Sequence, residues 1–228
     1  MSFAVPPLSP VSIEIADSTD CFPVARAFCI GRNYAEHSIE MGGNPDREEP
    51  FFFMKPATAI IPGGGTLPYP SATSELHHEV ELVVALNKGG RDIKVADASS
   101  HIFGYAAGLD MTRRDLQAAA KKAGRPWDMA KGFDASGPVG VLVPAAASSH
   151  VTYAAIELTI NGETRQKGNV NQMIWKTDEA IAYLSGLVEL MAGDIIFTGT
   201  PAGVGPVERG DTLHATIAGL PDMTCRVS

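Results

Sequence analysis

The sequence predicts an α+β fold that is rich in β-strands and has a few short helices. Short apolar runs recur along the 228 residues, and turn residues such as Gly, Pro and Asn separate them. The dipeptide Asn161–Gly162 lies between two alternating runs, which is typical of a tight β-hairpin turn. The best helical pattern, residues 178–190, is only moderately long. The chain therefore reads as one β-rich domain.

Composition excludes several classes of partner. Lys and Arg number 18 against 26 Asp and Glu, and this acidic balance argues against nucleic acid as a partner. No apolar run approaches the roughly 20 residues of a membrane helix, so no membrane partner is expected. The first residues lack the features of a signal peptide, and Cys21, Cys29 and Cys225 read as reduced thiols. We therefore expect a cytoplasmic protein.

The N-terminal part of the chain is predicted to be an arm, residues 1–20, followed by a single catalytic domain, residues 21–228. The arm contains three prolines and an alternating run, 11–15, that can add an edge strand. An apolar strand is expected at 26–30.

A short helix should follow this strand. Asn33 and Glu36 have the spacing of an N-cap and its capping partner, and Gly42–Gly43 would end the helix after about ten residues. His37 and Glu40 are three residues apart and would face each other across one turn. The alternative is an ordinary surface His beside a surface Glu.

The next segments predict a lid and a strand. The helix, its glycine pair and a polar loop at 44–50 have the layout of a hinged lid over residues 33–49. The run Phe51–Met54 is a predicted buried strand. A phosphate-binding loop is not supported at the glycines 63–65, because no Lys–Ser/Thr pair follows them.

The stretch His77–Leu86 carries the strongest chemical signal. Side chains alternate across a strand, so Glu79 and Glu81 share one face, roughly 7 Å apart. Their β-branched neighbours indicate a buried strand, where two like charges repel and a bound cation offsets the cost. The sequence therefore predicts a metal site. The alternative is a solvated strand face with two exposed glutamates.

The middle of the chain adds two more polar candidates. The apolar strand 102–109 ends at Asp110, and Thr112 with Asp115 predicts a helix that closes at Gly124. Asp110 then lies where a strand meets a helix, a common place for functional groups, and the alternative, which is favoured for this residue taken alone, is an ordinary turn aspartate. Lys131 stands between small residues that leave room for a ligand, and its alternative is a solvated lysine.

The last third of the chain is strand-rich. A strand is predicted at 139–143, a hairpin at 156–165, and a helix at 178–190 whose apolar stripe forms core. The residues of that stripe are Ile181, Leu184, Leu187, Val188 and Met191. A strand at 194–198 runs into the loop 199–205, whose glycines free backbone N–H groups to approach an anion. A plain connector is equally compatible. Runs 212–217 and 223–227 form a final hairpin.

Together these motifs resemble the fumarylacetoacetate hydrolase family. The motifs, which follow in order from about residue 26 to the C-terminus, are Gly31–Tyr34 with His37, Lys55–Pro56, His77–Glu81, Leu109–Thr112 with Arg114–Asp115, Ala130–Lys131, and Gly199–Pro201 with Gly203–Gly205. The resemblance implies a mixed β-roll and a homodimer. It also implies that Glu79, Glu81 and Asp110 hold Mg²⁺ or Mn²⁺.

Within the family the chain is most similar to single-domain acylpyruvate hydrolases, and closest to bacterial fumarylpyruvate hydrolases. The implied reaction is hydrolysis of a carbon–carbon bond in an oxo-diacid, fumarylpyruvate plus water giving fumarate and pyruvate. In that chemistry His37, oriented by Glu40, takes a proton from water, and Lys131 stabilises oxyanion charge. The candidates for binding substrate carboxylates and carbonyls are Arg32, Arg114, Gln117 and Thr200.

Other functions use the same frame. Oxaloacetate decarboxylation needs the metal–enolate site but no activated water, and an isomerase or hydratase of related oxo-diacids also fits. A non-catalytic binder of metal-chelated oxo acids is the remaining alternative, and the pair of His37 and Glu40 argues against it. Cys29 as a nucleophile is a rival mechanism, although it lies in an apolar run that is more simply core.

Overall fold

The computed structural model describes residues 3–40, 42 and 48–228. The strands of this part are β1 (Ser12–Glu14), β2 (Cys21–Pro23), β3 (Arg26–Ile30), β4 (Phe52–Lys55), β5 (Ile60–Pro62), β6 (Gly65–Leu67), β7 (Leu76–His78), β8 (Val80–Leu86), β9 (Ile102–Leu109), β10 (Thr112–Arg113), β11 (Gly137–Val139), β12 (Val143–Pro144), β13 (Ala155–Ile160), β14 (Glu163–Asn169), β15 (Asp194–Phe197), β16 (Gly205–Pro206), β17 (Thr212–Ile217) and β18 (Met223–Val227).

Helices are short and stand between the strands. The α-helices in the described residues are α1 (Ala35–Glu40), α2 (Val95–Ala98), α3 (Arg114–Lys122), α4 (Asp128–Lys131), α5 (Ala145–Ser148) and α6 (Thr177–Leu187), and single 3₁₀ turns cover Ala57–Ala59, Ser99–His101 and Val170–Gln172. Within this part of the chain, no helix is long and apolar enough to cross a membrane.

The strands form four sheets. The large sheet has the order β4-β3-β15-β8-β9-β11-β5, with β12 added beside β9, and the second has the order β14-β13-β17-β18-β6. Two small sheets have the orders β10-β7-β16 and β1-β2. Strand pairs β3/β15, β5/β11 and β6/β18 are parallel and the others are antiparallel, so the sheets are mixed. The predicted β-rich α+β fold is confirmed.

Strand β8 lies in the middle of the large sheet, and all seven of its residues are buried. Val80, Leu82 and Val84 pack into one apolar cluster, whereas Val83 and Ala85 pack into a second cluster on the opposite face. This alternation places Glu81 on the face of the second cluster. The prediction of a buried strand is therefore confirmed, and the alternative of a solvated glutamate face is wrong.

Strand β9, which pairs with β8, brings Asp110 next to Glu79. Val80 pairs with Leu109 and Glu81 with Gly108, and the N–H of Asp110 donates to the carbonyl of Glu79 at 2.9 Å. Asp110 thus stands directly beside Glu79 at the end of the strand pair. Strand β8 and the residues directly next to β8 and β9 thus supply all three predicted metal ligands.

The predicted capping role of Asn33 is wrong. Helix α1 begins at Ala35, and the Asn33 side chain instead bonds the N–H and carbonyl of Trp175 and the carbonyl of Thr198. Three distant backbone partners outweigh one local cap for a fully buried amide. The described helix has six residues rather than about ten. Gly43 and the loop 43–47 of the predicted lid lie outside the described residues.

Helix α3 begins later than predicted. Thr112 does not cap it, because Thr112 and Arg113 form strand β10 against β7. Asp115 accepts hydrogen bonds from the hydroxyl of Thr73 at 2.5 Å and the N–H of Ser74 at 3.0 Å. These bonds to a distant loop hold the first turn of the helix in place. The predicted end is close to the observed one, since the chain leaves the helix before Gly124, whose φ is +60°.

Two predictions near the C-terminus also need correction. Helix α6 ends at Leu187, which is 58% exposed, and Met191 is 46% exposed, so the predicted core stripe is wrong for these two residues. It holds for Ile181 and Leu184, and Val188 packs partly buried against the same core. Val188 leaves the helix with extended dihedral angles. The predicted strand 139–143 is split between β11 and β12. The predicted hairpin turn is confirmed by φ angles of +53° at Asn161 and +86° at Gly162.

Candidate metal and active site

Three carboxylates converge where β8 and β9 meet. One oxygen of each of Glu79, Glu81 and Asp110 lies within 4.8 Å of the others, and all three side chains are buried. Glu79 stands in the break between β7 and β8, Glu81 two residues further on the same face, and Asp110 beside Glu79. Oxygen ligands from carboxylates are those that Mg²⁺ and Mn²⁺ prefer.

Three cations, the buried Lys55 and Lys131 and the half-buried Arg114, approach two of these carboxylates. Lys131 Nζ lies 2.7 Å from Glu79 Oε2 and 2.6 Å from Asp110 Oδ2. Arg114 donates to Glu79 Oε1 at 2.6 Å, and Lys55 Nζ lies 2.8 Å from Asp110 Oδ1. Burial raises the pKa of Glu79, but Lys131 and Arg114 outweigh burial and hold that pKa well below its usual range. Glu79 is therefore ionised.

Glu81 differs from its two neighbours. Its described donor is the N–H of Gly199, which lies 2.6 Å from Oε2. Burial, and then the charges of Asp110 and Glu79, raise the pKa of Glu81 well above its ordinary value. No cationic side chain of the described residues forms an ion pair with it. Glu81 thus lies beside two other buried carboxylates and has no cationic partner of its own among the described residues. Together the three carboxylates form a donor set that fits a divalent ion.

The predicted pair of His37 and Glu40 is present on α1. His37 Nδ1 lies 3.3 Å from Glu40 Oε2, and the N–H of Gly203 donates to both Glu40 oxygens at 3.2 Å. Burial lowers the pKa of His37 from its ordinary value, although the charges of Glu79 and Glu40 oppose that shift. His37 is thus a neutral imidazole at neutral pH, which is the form a general base requires.

The glycine-rich loop contacts anions that belong to the chain itself. Gly199 donates to Glu81, and Gly203 donates to Glu40. Gly199 has a φ of +92°, and a Cβ there would lie 2.6 Å from the Cβ of Asn33, so both the backbone geometry and the packing require glycine. The predicted N–H donors are confirmed, and the alternative of a plain connector is wrong.

One pocket collects nearly all the predicted site residues. The nine that line it are Arg32, His37, Glu79, Glu81, Asp110, Arg114, Gln117, Lys131 and Thr200. Glu40 stands behind His37 and is 34% exposed at its side chain. Phe51, Phe53 and Trp127 add an aromatic wall, with the rings of Phe51 and Trp127 edge to face at 5.4 Å.

Two buried residues that support the site received no role from the sequence. Gln166 Oε1 accepts from Val80 N–H and pairs with His78 Nδ1, each at 2.9 Å, and its Nε2 donates to Thr200 Oγ1 and the Pro201 carbonyl, each at 2.8 Å. Lys55 also donates to the carbonyl of Lys131. Lys55 belongs to the motif Lys55–Pro56, which carried part of the family resemblance. No local pattern indicates Gln166, because its hydrogen-bond partners lie on other elements of the fold.

Cys29 does not fit the rival nucleophilic mechanism. It is fully buried in the second apolar cluster, and burial raises the pKa of its thiol well above the ordinary value. A thiol held protonated is a poor nucleophile. The residue is core, as its apolar surroundings predicted.

The fold and the carboxylate site define a class of protein. The sequence profile of the fumarylacetoacetate (FAA) hydrolase C-terminal family matches residues 26–228, so the chain belongs to the fumarylacetoacetate hydrolase family. The predicted mixed β-roll of that family is thereby confirmed.

Similar proteins include both hydrolases and oxaloacetate enzymes. The crystal structure of fumarylpyruvate hydrolase from Pseudomonas aeruginosa in complex with Mn²⁺ and pyruvate superposes with a TM-score of 0.97, at 49% identity over 99% of each chain. A mitochondrial oxaloacetate tautomerase of Arabidopsis thaliana is 44% identical over 86% of this chain and 87% of that protein. A mitochondrial oxaloacetate decarboxylase of Dictyostelium discoideum is 41% identical over 84% of this chain and 88% of that protein.

Proposed function

We propose that the chain is a divalent-metal-dependent acylpyruvate hydrolase that converts fumarylpyruvate and water to fumarate and pyruvate. The observation that carries this proposal is the buried His37, which lines the same pocket as the three carboxylates and lies 3.3 Å from Glu40. A general base beside an enolate-stabilising site is what hydrolysis needs and decarboxylation does not. The high similarity to the Pseudomonas aeruginosa enzyme, over 99% of both chains, supports the same substrate.

The carboxylates would hold the cation. Glu79, Glu81 and Asp110 are the proposed ligands, and Mg²⁺ and Mn²⁺ both suit three carboxylate oxygens. When bound, such an ion supplies Lewis-acid stabilisation of enolate charge on the pyruvyl half of the substrate.

His37 would begin the reaction by taking a proton from water. The water oxygen attacks the carbonyl carbon that joins the fumaryl group to the pyruvyl group. The carbon–carbon bond then breaks, its electron pair leaves with the pyruvyl half as an enolate, and a proton on carbon completes pyruvate. Glu40, 3.3 Å from His37 Nδ1 and 34% exposed, would orient the imidazole and stabilise its charge after proton transfer.

Cationic and polar side chains of the pocket would hold the substrate. Lys131 is the proposed stabiliser of oxyanion charge on the attacked carbonyl. Arg32, Arg114, Gln117 and Thr200 are the proposed ligands of substrate carboxylates and carbonyls. The guanidinium of Arg114 donates a hydrogen bond to Gln117 Oε1 at 2.6 Å, and this bond orients the two side chains toward each other.

A second candidate is tautomerisation or decarboxylation of oxaloacetate. The similarity to a tautomerase at 44% identity and a decarboxylase at 41% identity favours it. Both reactions pass through an enol or enolate of an oxo acid, which the same carboxylate site serves. Neither reaction consumes water, so neither gives His37 its proposed role as the base for hydrolysis.

The test is a substrate comparison with purified protein. The protein is incubated with Mg²⁺ or Mn²⁺ and fumarylpyruvate, acetylpyruvate or oxaloacetate, and a chelator-treated sample serves as the control. We expect stoichiometric fumarate and pyruvate from fumarylpyruvate, and no turnover after chelation. Turnover of oxaloacetate alone would replace the proposal with the second candidate. Cytoplasmic location and a homodimeric state, both expected from the sequence, complete the proposal and are checked by fractionation and by light scattering.

A further inference from the structure

One face of helix α3 lines the pocket from the carboxylates outward. Arg114, Gln117 and Lys121 are spaced by three and four residues, so they lie on the same side of the helix. Each of them lines the pocket, and Arg114 contacts Glu79. The face therefore begins at the candidate metal site and runs to the outer part of the pocket, where Lys121 is exposed.

The cations of the pocket differ in what neutralises them. Arg114 and Lys131 form ion pairs with the carboxylates. Neither Lys121 nor Arg32 forms an ion pair with any described residue, and the guanidinium of Arg32 lies over the ring of Phe51, 5.7 Å from its centre. The outer part of the pocket thus offers positive charge that no ion pair among the described residues neutralises.

The geometry of helix α3 gives the separation between the backbone of Lys121 and that of Arg114, which contacts the carboxylate Glu79. Lys121 lies seven positions after Arg114, which corresponds to about 10 Å between their Cα atoms along the helix axis. Six carbon–carbon bonds separate the two carboxylate carbons of fumarylpyruvate, a span of about 7–8 Å when extended at about 1.5 Å per bond. A lysine side chain can close the difference. The carboxylates of oxaloacetate are only about 4 Å apart, so its far carboxylate would lie about 3–4 Å closer to the metal-site end than that of fumarylpyruvate.

We propose that Lys121 is a specificity-determining residue whose ammonium group binds the carboxylate at the far end of the acyl group. Phe51 and Trp127, edge to face at 5.4 Å, would flank the planar acyl chain between that carboxylate and the metal site. The ligand class is an acylpyruvate whose acyl group ends in a carboxylate. This inference rests on the proposed function and deepens it.

Lys121→Gln tests the inference, and Lys122→Gln is the matched control. Lys122 is the next residue on the same helix, is also exposed, and does not line the pocket. We expect Lys121→Gln to lower kcat/KM for fumarylpyruvate roughly tenfold, the value of one charge-assisted hydrogen bond. The same variant should leave acetylpyruvate, which has no far carboxylate, at the parent rate. Lys122→Gln should leave both substrates unchanged.

Two results would overturn the inference. Equal losses on fumarylpyruvate and acetylpyruvate would show that Lys121 acts on the helix rather than on the far carboxylate. Equal losses in the Lys121 and Lys122 variants would show a general effect of surface charge. In both cases hydrolysis by the parent protein would still support the proposed function.

A binding measurement keeps the inference testable if no acylpyruvate is hydrolysed. That result would remove the proposed function, and calorimetry with fumarate and with crotonate, its monocarboxylate counterpart, would then test Lys121 by itself. We expect the parent protein to bind fumarate more tightly than crotonate, and Lys121→Gln to abolish the difference. Equal affinity of the parent for the two acids would overturn the inference.

Discussion

Replacing His37 by alanine should separate hydrolysis from other reactions of the same site. The side chain is 5% exposed, its Nδ1 lies 3.3 Å from Glu40, and burial lowers its pKa, so it is present as a neutral base. A positioned general base typically contributes on the order of 10² to 10⁴-fold. We therefore expect His37→Ala to lower kcat for fumarylpyruvate hydrolysis at least about a hundredfold, which is about 2.7 kcal/mol of transition-state stabilisation.

The contribution of Glu40 can be bounded from its contacts. Glu40→Gln keeps a hydrogen-bond partner for the imidazole but loses the charge that favours its protonated form. Hydrogen bonds to charged groups contribute about 1.5–3 kcal/mol and neutral ones about 0.5–1.5 kcal/mol. Because Glu40 is 34% exposed, solvent screens part of that difference. We expect a loss of about 1 kcal/mol, or roughly fivefold in kcat, well below the effect of His37→Ala.

The assay compares two substrates in the same preparations. Fumarate release from fumarylpyruvate reports hydrolysis, and CO₂ release from oxaloacetate reports decarboxylation, which needs no attacking water. His37→Ala should leave any oxaloacetate decarboxylation nearer the parent rate, and Mg²⁺ affinity measured by calorimetry should be unchanged. His214→Ala, on strand β17 and partly exposed, is the control. Normal hydrolysis by His37→Ala with the metal still bound would refute the assignment of the base.

Three further predictions follow from the same contacts. Glu81→Ala should sharply weaken Mg²⁺ binding in calorimetry, and parent-like affinity would show that the site is misassigned. Because burial lowers the pKa of His37 below 6.5, kcat/KM should rise with pH and level off at or below about pH 6.5. Glu40→Gln removes a charge that favours protonated His37, so it should shift this rise to lower pH. A rise centred above pH 7 would contradict the assignment of His37 as the base. Gln166→Leu should lower the free energy of unfolding by about 2–4 kcal/mol in urea titrations, since it leaves buried groups, including the Val80 N–H, unpaired; a change within about 0.5 kcal/mol would contradict that role.

The metal ligands could be predicted because local geometry places them. Alternation along a strand puts Glu79 and Glu81 on one face whatever the strand pairs with, and the apolar residues between and after them indicate burial. Asp110 could be placed at a strand end by the same reasoning. Its position beside Glu79 depends on the register of β8 and β9, which no local pattern encodes.

The helix starts could not be predicted, because distant groups decide them. Asn33 has the sequence context of a cap, yet its amide bonds Trp175 and Thr198, which lie more than 140 residues away. The start of α3 is set by strand pairing of Thr112 and by the bonds of Asp115 to Thr73 and Ser74. In each case a buried polar side chain takes partners that only the folded chain provides.

The charged residues of the site can be recognised from the sequence, but the partners of those charges cannot. The glycine-rich loop could be recognised as a set of N–H donors, but its acceptors, Glu81 and Glu40, belong to other elements. Likewise, Lys131 and Arg114 are ordinary lysine and arginine until the fold places them against Glu79, leaving Glu81 without a cation among the described residues. Sequence therefore indicates which side chains can bind a metal. Only the folded arrangement shows which carboxylate lacks a cationic side chain beside it, a partner that a bound metal ion would supply.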